Sequence, residues 1–233
     1  MKIKNPFLLL SKFELALWLT SAVVVIVSFL FGDKSNILSL IASLVGVTAL
    51  IFVAKGHVLG QTLTVIFSLL YAVISFEFRY YGEMITYLGM TAPIAVLSIV
   101  SWLRHPYEEG KSEVKVAHLS PMKLVSVFLL TLIVTFAFYY ILKYFNTANL
   151  IFSTISVATS FLASYLMFLR HPTYALAYAA NDIVLIILWI LATMTSISYL
   201  PMVVCFLMFL ANDIYGFYNW SRMRTRQNSV MTK

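Results

Sequence analysis

The apolar residues of this chain come in blocks of about 20, the length an α-helix needs to cross the roughly 30 Å hydrocarbon core of a bilayer. Polar or glycine-containing breaks separate them: Gly32-Asp33-Lys34-Ser35, Lys55-Gly56-His57, Arg79 to Glu83, the longer stretch 104–121, Asn146-Thr147, Arg170-His171-Pro172 and Thr195-Ser196. This pattern predicts eight helices, over about 13–31, 36–54, 58–78, 82–103, 122–144, 148–169, 173–194 and 198–220. Of the 233 residues only 11% are charged and 61% are hydrophobic, whereas roughly a quarter of a soluble domain is charged. So few charges cannot cover a water-facing surface. The expected class is an all-α polytopic membrane protein with eight transmembrane helices, a single membrane domain over 1–233 with no room for a separate soluble module. Trp18, Tyr80, Tyr81, Trp102, Tyr139, Tyr140, Tyr199 and Trp220 fall near block ends, as an interfacial aromatic belt requires.

An even number of spans puts both termini on one face, and the basic residues test that arrangement. Lys2, Lys4, Lys12, Lys55, Arg104, Lys111, Lys115, Lys123, Arg170, Arg222, Arg224, Arg226 and Lys233 fall on the terminal face, 13 of the 16 Lys and Arg. Lys34, Arg79 and Lys143 fall on the other. The positive-inside rule then places both ends in the cytoplasm of a plasma-membrane protein. The net charge of +7 reads as this orientation, and no nucleic-acid partner is expected. Residues 13–31 are too long for a signal-peptide core and lack a small-residue cleavage site, so they read as an uncleaved first span. A single cysteine, Cys205, excludes an internal disulfide. The four histidines (His57, His105, His118, His171) are scattered in loops without ligand spacing, so neither a metal nor another cofactor is expected.

The two halves resemble each other at a separation of 118 residues: Trp102 matches Trp220, Arg104 matches Arg222, Tyr81 matches Tyr199 and Tyr71 matches Trp189. That shift carries spans 2–4 onto spans 6–8 with orientation preserved, which defines parallel repeats about an axis along the membrane normal. Span 5 returns the chain to the starting side. The arrangement is 1 + 3 + 1 + 3: an extra first helix (13–31), a three-helix bundle (36–103), a connector (122–144) and a second three-helix bundle (148–220). Two such bundles are a transporter plan, with a small-molecule solute held between them near the midplane.

Ionisable groups at mid-depth are costly in a membrane and mark function by default. Asn181 and Asp182 in span 7 and Asn212 and Asp213 in span 8 both occur in the tetrapeptide Ala-Asn-Asp-Ile. The two helices are antiparallel neighbours, so both Asp groups are able to face one cavity. The alternative is a buried Asn/Asp network that only locks the helices together. No Lys or Arg lies between Arg170 and Arg222 or in the middle of any span, so a phosphorylated solute would find no partner. A neutral or cationic solute needs none, and aromatic faces beside carboxylates suit a flat cation. Candidate aromatics are Trp189, Tyr178, Tyr215, Tyr71 and Tyr87. Trp189 is favoured among them because it lies two turns from Asp182 on nearly the same face. Gln61 and Thr64 (with Thr62) open span 3 and are candidates for hydrogen bonds from the first repeat. Glu77 and Arg79 read as a solvated interface pair, and Glu14 as a carboxylate that snorkels to the inner surface.

Three stretches carry a family resemblance: Ser43–Gln61 (SLVGVTALIFVAKGHVLGQ), Tyr80–Lys111 (YYGEMITYLGMTAPIAVLSIVSWLRHPYEEGK) and Asn212–Arg222 (NDIYGFYNWSR). With them the whole chain resembles the PnuC family of vitamin transporters, which take up nicotinamide riboside. The resemblance implies a fold similar to the SWEET sugar transporters, a homotrimer in the lipid bilayer, and facilitated diffusion with the solute trapped by later phosphorylation. The family tends to carry an Asn early in its third span, where this chain has Thr62, Leu63 and Thr64; its counterpart in span 7 is Asn181. Same-fold relatives carry thiamine, riboflavin or deoxyribonucleosides, so the solute rests on the resemblance.

Three other readings compete. One is the same carrier coupled to protons through Asp182 or Asp213. Another is an intramembrane aspartyl protease with these two as its dyad, although neither sits in a Gly-x-Gly-Asp context. The last is a purely structural or regulatory membrane protein. No G-x-x-x-x-G-K-[ST] nucleotide loop occurs that would power transport.

Overall fold

The structure is a computed structural model and describes residues 5–31, 37–77, 80–108 and 112–231. Lys2, Lys4, the Gly32–Ser35 break, Arg79, Lys111 and Lys233 lie outside the described residues. Among the described residues, eight helices are long and apolar enough to cross a membrane. They are α1 (Lys12–Phe31), α2 (Ile37–Ala54), α3 (Val58–Glu77), α4 (Tyr81–Arg104), α5 (Pro121–Tyr144), α6 (Leu150–Phe168), α7 (Tyr174–Thr193) and α8 (Leu200–Met231). The last helix runs 11 residues past the expected end at Trp220. Nothing between Trp220 and Met231 breaks it, for this segment contains neither Gly nor Pro.

Helices α1 and α5 leave most of their surface uncovered, whereas the other six bury each other. Helix α2 packs on α3 and α8, α3 on α4, α4 on α6, α6 on α7, and α7 on α8. Helix α5 packs on α6, and α1 lies against α2 and α8. Three helix ends close with the same device: a residue in the left-handed region, followed by a bond reaching back five residues. Gly56 (φ 68°), Asn146 (φ 48°) and Arg170 (φ 61°) occupy that position. The bonds are His57 N–H to the Phe52 carbonyl (2.9 Å), Thr147 to Leu142 (3.0 Å) and His171 to Leu166 (3.0 Å).

At the face where the chain ends lie, two tryptophans tie the halves together reciprocally. Trp102 Nε1 of α4 donates to the Met167 carbonyl of α6 (3.3 Å). Trp220 Nε1 of α8 donates to the Val53 carbonyl of α2 (2.9 Å). Their neighbours repeat the exchange: Ser101 donates to the Phe168 carbonyl (3.1 Å) and Asn219 to the Ala54 carbonyl (2.8 Å). All four acceptors are carbonyls of the last turn of α2 or α6; those of Val53 and Met167 also accept the backbone N–H of Gly56 and Arg170. The Trp102 and Trp220 rings meet at 5.4 Å between centroids.

Residues 112–119, within the stretch expected as a polar loop at 104–121, form a strap across that face. Val114 N–H donates to the Gly56 carbonyl and Ala117 N–H to the Arg170 carbonyl, both at 3.0 Å. Gln227 of the extended α8 holds the strap's underside, accepting from Val116 N–H at 2.8 Å. Val114 and Val116 are buried beneath it. Their apolar side chains are the reason the stretch folds down onto the bundle.

Candidate functional site

A cavity of about 50 Å³ lies between the halves, lined by α2, α3, α4, α6, α7 and α8 and by no residue of α1 or α5. Helix α2 contributes Gly46, Ala49, Leu50 and Val53; α3 contributes Thr64 and Phe67; α4 contributes Tyr87 and Thr91. From the second half come Met167 of α6, Tyr178, Asn181 and Asp182 of α7, and Phe209 and Asp213 of α8. This volume holds a few water molecules and not a nucleoside-sized ligand. Solute entry therefore requires the helices to part. Both ends are shut in this conformation. On one side Trp102, Trp220 and Tyr174 close together, with 4.9 Å between the Tyr174 and Trp220 rings. On the other, Trp189 Nε1 donates to the Tyr71 hydroxyl (3.0 Å), and the Tyr80 hydroxyl donates to the Leu188 carbonyl (3.3 Å).

The polar groups of the cavity concentrate on α7 and α8. Asp182 and Asp213 are 3% and 4% exposed, and their side chains lie in hydrogen-bonding contact. Asp182 Oδ2 has no hydrogen-bond partner. Asn181 Oδ1 accepts from Ser156 (3.2 Å) and Thr159 (3.0 Å) of α6, which leaves its NH₂ as the group free to donate. The Tyr178 hydroxyl bonds Ser164 at 2.8 Å. No Lys or Arg lines the cavity among the described residues. Its aromatic wall is Phe67, Tyr87 and Phe209, with 5.9 Å between the Phe67 and Tyr87 rings and 5.3 Å between Phe67 and Phe209.

Of the residues singled out from sequence, the structure brings Thr64, Tyr87, Tyr178, Asn181, Asp182 and Asp213 together around the cavity. Tyr71 and Trp189 lie behind it, in the layer that closes one end. Gln61 is fully buried at the start of α3, and neither side-chain polar atom finds a partner. Asn212 turns away to donate to Ser21 of α1 (3.0 Å) and the Met208 carbonyl (2.8 Å). Tyr215 also points outward and donates to Glu14 (2.9 Å). Glu14 does not snorkel: it is 1% exposed, ion-paired with Lys55 at 2.9 Å.

Gly46, Phe67, Thr91 and Phe209 line the cavity without having been singled out. A Cβ at Gly46 would clash with Phe209 Cζ, so only glycine leaves room for the Phe209 ring against α2. Thr91 and Tyr87 bound a π turn, Tyr87–Thr91, with Ala92 N–H bonded to the Tyr87 carbonyl. Pro93 supplies the reason: it has no N–H for the Gly89 carbonyl, so the ladder slips by one residue there. An isolated glycine and a proline within an apolar block were the available signals.

A closed polar cavity enclosed by six helices, with two further helices outside them, is the build of a membrane carrier in an occluded conformation. The chain belongs to the nicotinamide mononucleotide transporter family, whose model matches residues 36–222. The nicotinamide riboside transporter PnuC of Neisseria mucosa is 27% identical over 206 residues, covering 87% of this chain and 78% of that one. The protein of the same name from Haemophilus influenzae is 22% identical over 192 residues, covering 82% of each. Among solved structures, the crystal structure of the vitamin B3 transporter PnuC matches with a TM-score of 0.83 at 26% identity, over 94% of each chain.

Proposed function

We propose that this protein is a carrier of nicotinamide riboside and not an enzyme, and that it moves its solute down its gradient into the cytoplasm, where phosphorylation traps it. The observation that carries the reading is the Asp182–Asp213 pair set among Phe67, Tyr87 and Phe209 in a cavity without a basic residue. The pair offers net negative charge to a pyridinium cation, and the rings offer it their faces. The relatives named for nicotinamide riboside support the same solute. A mononucleotide would bring a phosphate with no Lys or Arg to receive it. Binding measured by calorimetry on the purified protein tests this. Nicotinamide riboside binds, its mononucleotide binds at least about tenfold more weakly, and Asp182→Asn costs the riboside a similar factor. Equal affinity for riboside and mononucleotide overturns the assignment.

The same reading makes the two halves parallel repeats. The pairs Trp102/Trp220 and Tyr71/Trp189, each 118 residues apart, meet in ring contact or hydrogen bond, and the tryptophan bonds to α2 and α6 are reciprocal. Contacts of this kind arise on a two-fold axis. The carrier is then a plasma-membrane homotrimer with both termini cytoplasmic, in keeping with the basic residues of its terminal face.

A further inference from the structure

The outer face of α8 carries a groove that the solute site does not use. A cavity of about 260 Å³ opens where α1 begins, α2 ends and α8 passes, with Glu14, Lys55, Tyr215, Asn219, Arg222 and Arg226 in its wall. A hollow of about 540 Å³ adjoins it, sharing Arg222 and Arg226 and adding Tyr218, Ser221, Thr225 and Ser229. The charged side chains of this groove are three cations and one carboxylate. That carboxylate, Glu14, is 1% exposed and is held by Ser11, Lys55 and Tyr215, so Lys55 and Glu14 balance each other. Arg226 pairs with Glu113, which lines neither hollow. None of the ion pairs among the described residues involves Arg222. Its guanidinium lies over the Tyr218 ring, 5.7 Å from the centroid, which positions it without neutralising it. The groove is left with an unmatched positive charge.

The level of the groove follows from helix length. At a rise of about 1.5 Å per residue, roughly 20 residues cross ~30 Å of hydrocarbon, so α8, which starts at Leu200, leaves it near Trp220. Arg222 then stands about 3 Å beyond the hydrocarbon and Arg226 about 9 Å, at the depth of a headgroup layer roughly 5–8 Å thick. Toward the membrane the same stripe of α8 turns apolar. Leu207, Ile214 and Tyr218 share a helix face with Arg222 and are 43%, 58% and 58% exposed. Phe13 of α1, itself 61% exposed, flanks the groove by packing on Tyr215 at 5.1 Å between rings. A free phosphate needs the cations but has no use for the apolar strip. A molecule with acyl chains and an anionic head uses both, and a guanidinium suits a phosphate because it offers two parallel N–H donors.

We propose that this groove binds the headgroup of an anionic phospholipid from the leaflet at the terminal face, with Arg222 as the main ligand of its phosphate. Arg226 and the hydroxyls of Ser221 and Thr225 flank that phosphate, and the acyl chains follow Tyr218, Ile214 and Leu207 into the membrane. The site rests on no part of the solute reading, since none of these residues lines the solute cavity. Native mass spectrometry of the purified protein, titrated in detergent with phosphatidylglycerol or with phosphatidylcholine, tests it. The parent retains phosphatidylglycerol at least about fivefold more tightly than phosphatidylcholine. Arg222→Gln, a change at an exposed side chain, removes most of that preference. Thr225→Asp brings a carboxylate into the groove and removes it by repulsion, which carries the test should the first variant fold poorly. Equal retention of the two lipids by the parent, or a preference that survives in both variants, overturns the site. Displacement of phosphatidylglycerol by millimolar inorganic phosphate assigns the groove to a soluble anion and overturns the lipid. Variants that fall from oligomers to single chains give this face to a second copy and overturn it too.

Discussion

Gly46 shows how a residue with no side chain shapes the cavity. The Phe209 ring occupies the space a Cβ would need, with Phe67 3.1 Å away on the other side. Gly46→Ala must push the aromatic wall inward, and overpacking of this kind costs about 1–3 kcal/mol. We expect that variant to keep its helical circular dichroism yet bind nicotinamide riboside about tenfold more weakly, by the same penalty. Calorimetry beside the parent measures it. At this scale the sequence was informative about half of the cavity. Asn181, Asp182 and Asp213 announced themselves because hydrocarbon makes ionisable groups expensive. Phe67 and Phe209 did not, because in a chain where 15% of residues are aromatic, a ring carries no label for the face it will occupy. Asn212 and Tyr215 share the motif around Asp213 but both turn to α1, which supplies Ser21 to the first and Glu14 to the second.

Among the elements, α1 is tied to the bundle by the Trp18–Thr48 and Asn212–Ser21 bonds and by one buried carboxylate. Glu14 accepts from Ser11 N–H (2.6 Å), Lys55 (2.9 Å) and Tyr215 (2.9 Å), so one side chain joins α1, the end of α2 and α8. Glu14→Ala leaves Lys55 and Tyr215 without their partner, at an expected cost on the order of 1–3 kcal/mol. A lowered unfolding temperature in detergent checks this, with solute affinity unchanged because no α1 residue lines the cavity. Hydropathy found α1 as a span but read Glu14 as solvated, since nothing local to the chain says that Tyr215, 201 residues away, will cover it. The π turn of α4 was hidden for a related reason. Pro93 within an apolar block predicts some disturbance, but which carbonyl is released, and toward which neighbour, depends on packing against α3 and α6. Pro93→Ala restores the missing N–H and is expected to draw Tyr87 and Thr91 out of register. Loss of riboside binding with a rise in thermal stability would report that exchange.

For the molecule as a whole, eight spans were legible because bilayer thickness sets helix length independently of how the helices pack. The strap at 112–119 was not, because its apolar residues, Val114, Val116, Ala117 and Leu119, are too few and too scattered among polar ones to mark an element, and its anchors are backbone carbonyls of distant turns. The proposed orientation predicts that reporter enzymes active only in the cytoplasm, fused at either terminus, are both active, and that native mass spectrometry in detergent gives three copies. The reciprocal bonds at the terminal face have a further consequence for how the carrier moves. Trp102, Ser101, Trp220 and Asn219 each hold a carbonyl of the opposite half, so the halves cannot part there by releasing one bond at a time. At about 1 kcal/mol net for each bond, parting costs roughly 4 kcal/mol. An open form at that face would be populated about once in a thousand molecules, absent any compensation. Such a seam behaves as a cooperative latch: half-open states are scarce, and passage is timed by rare, complete openings rather than by gradual widening.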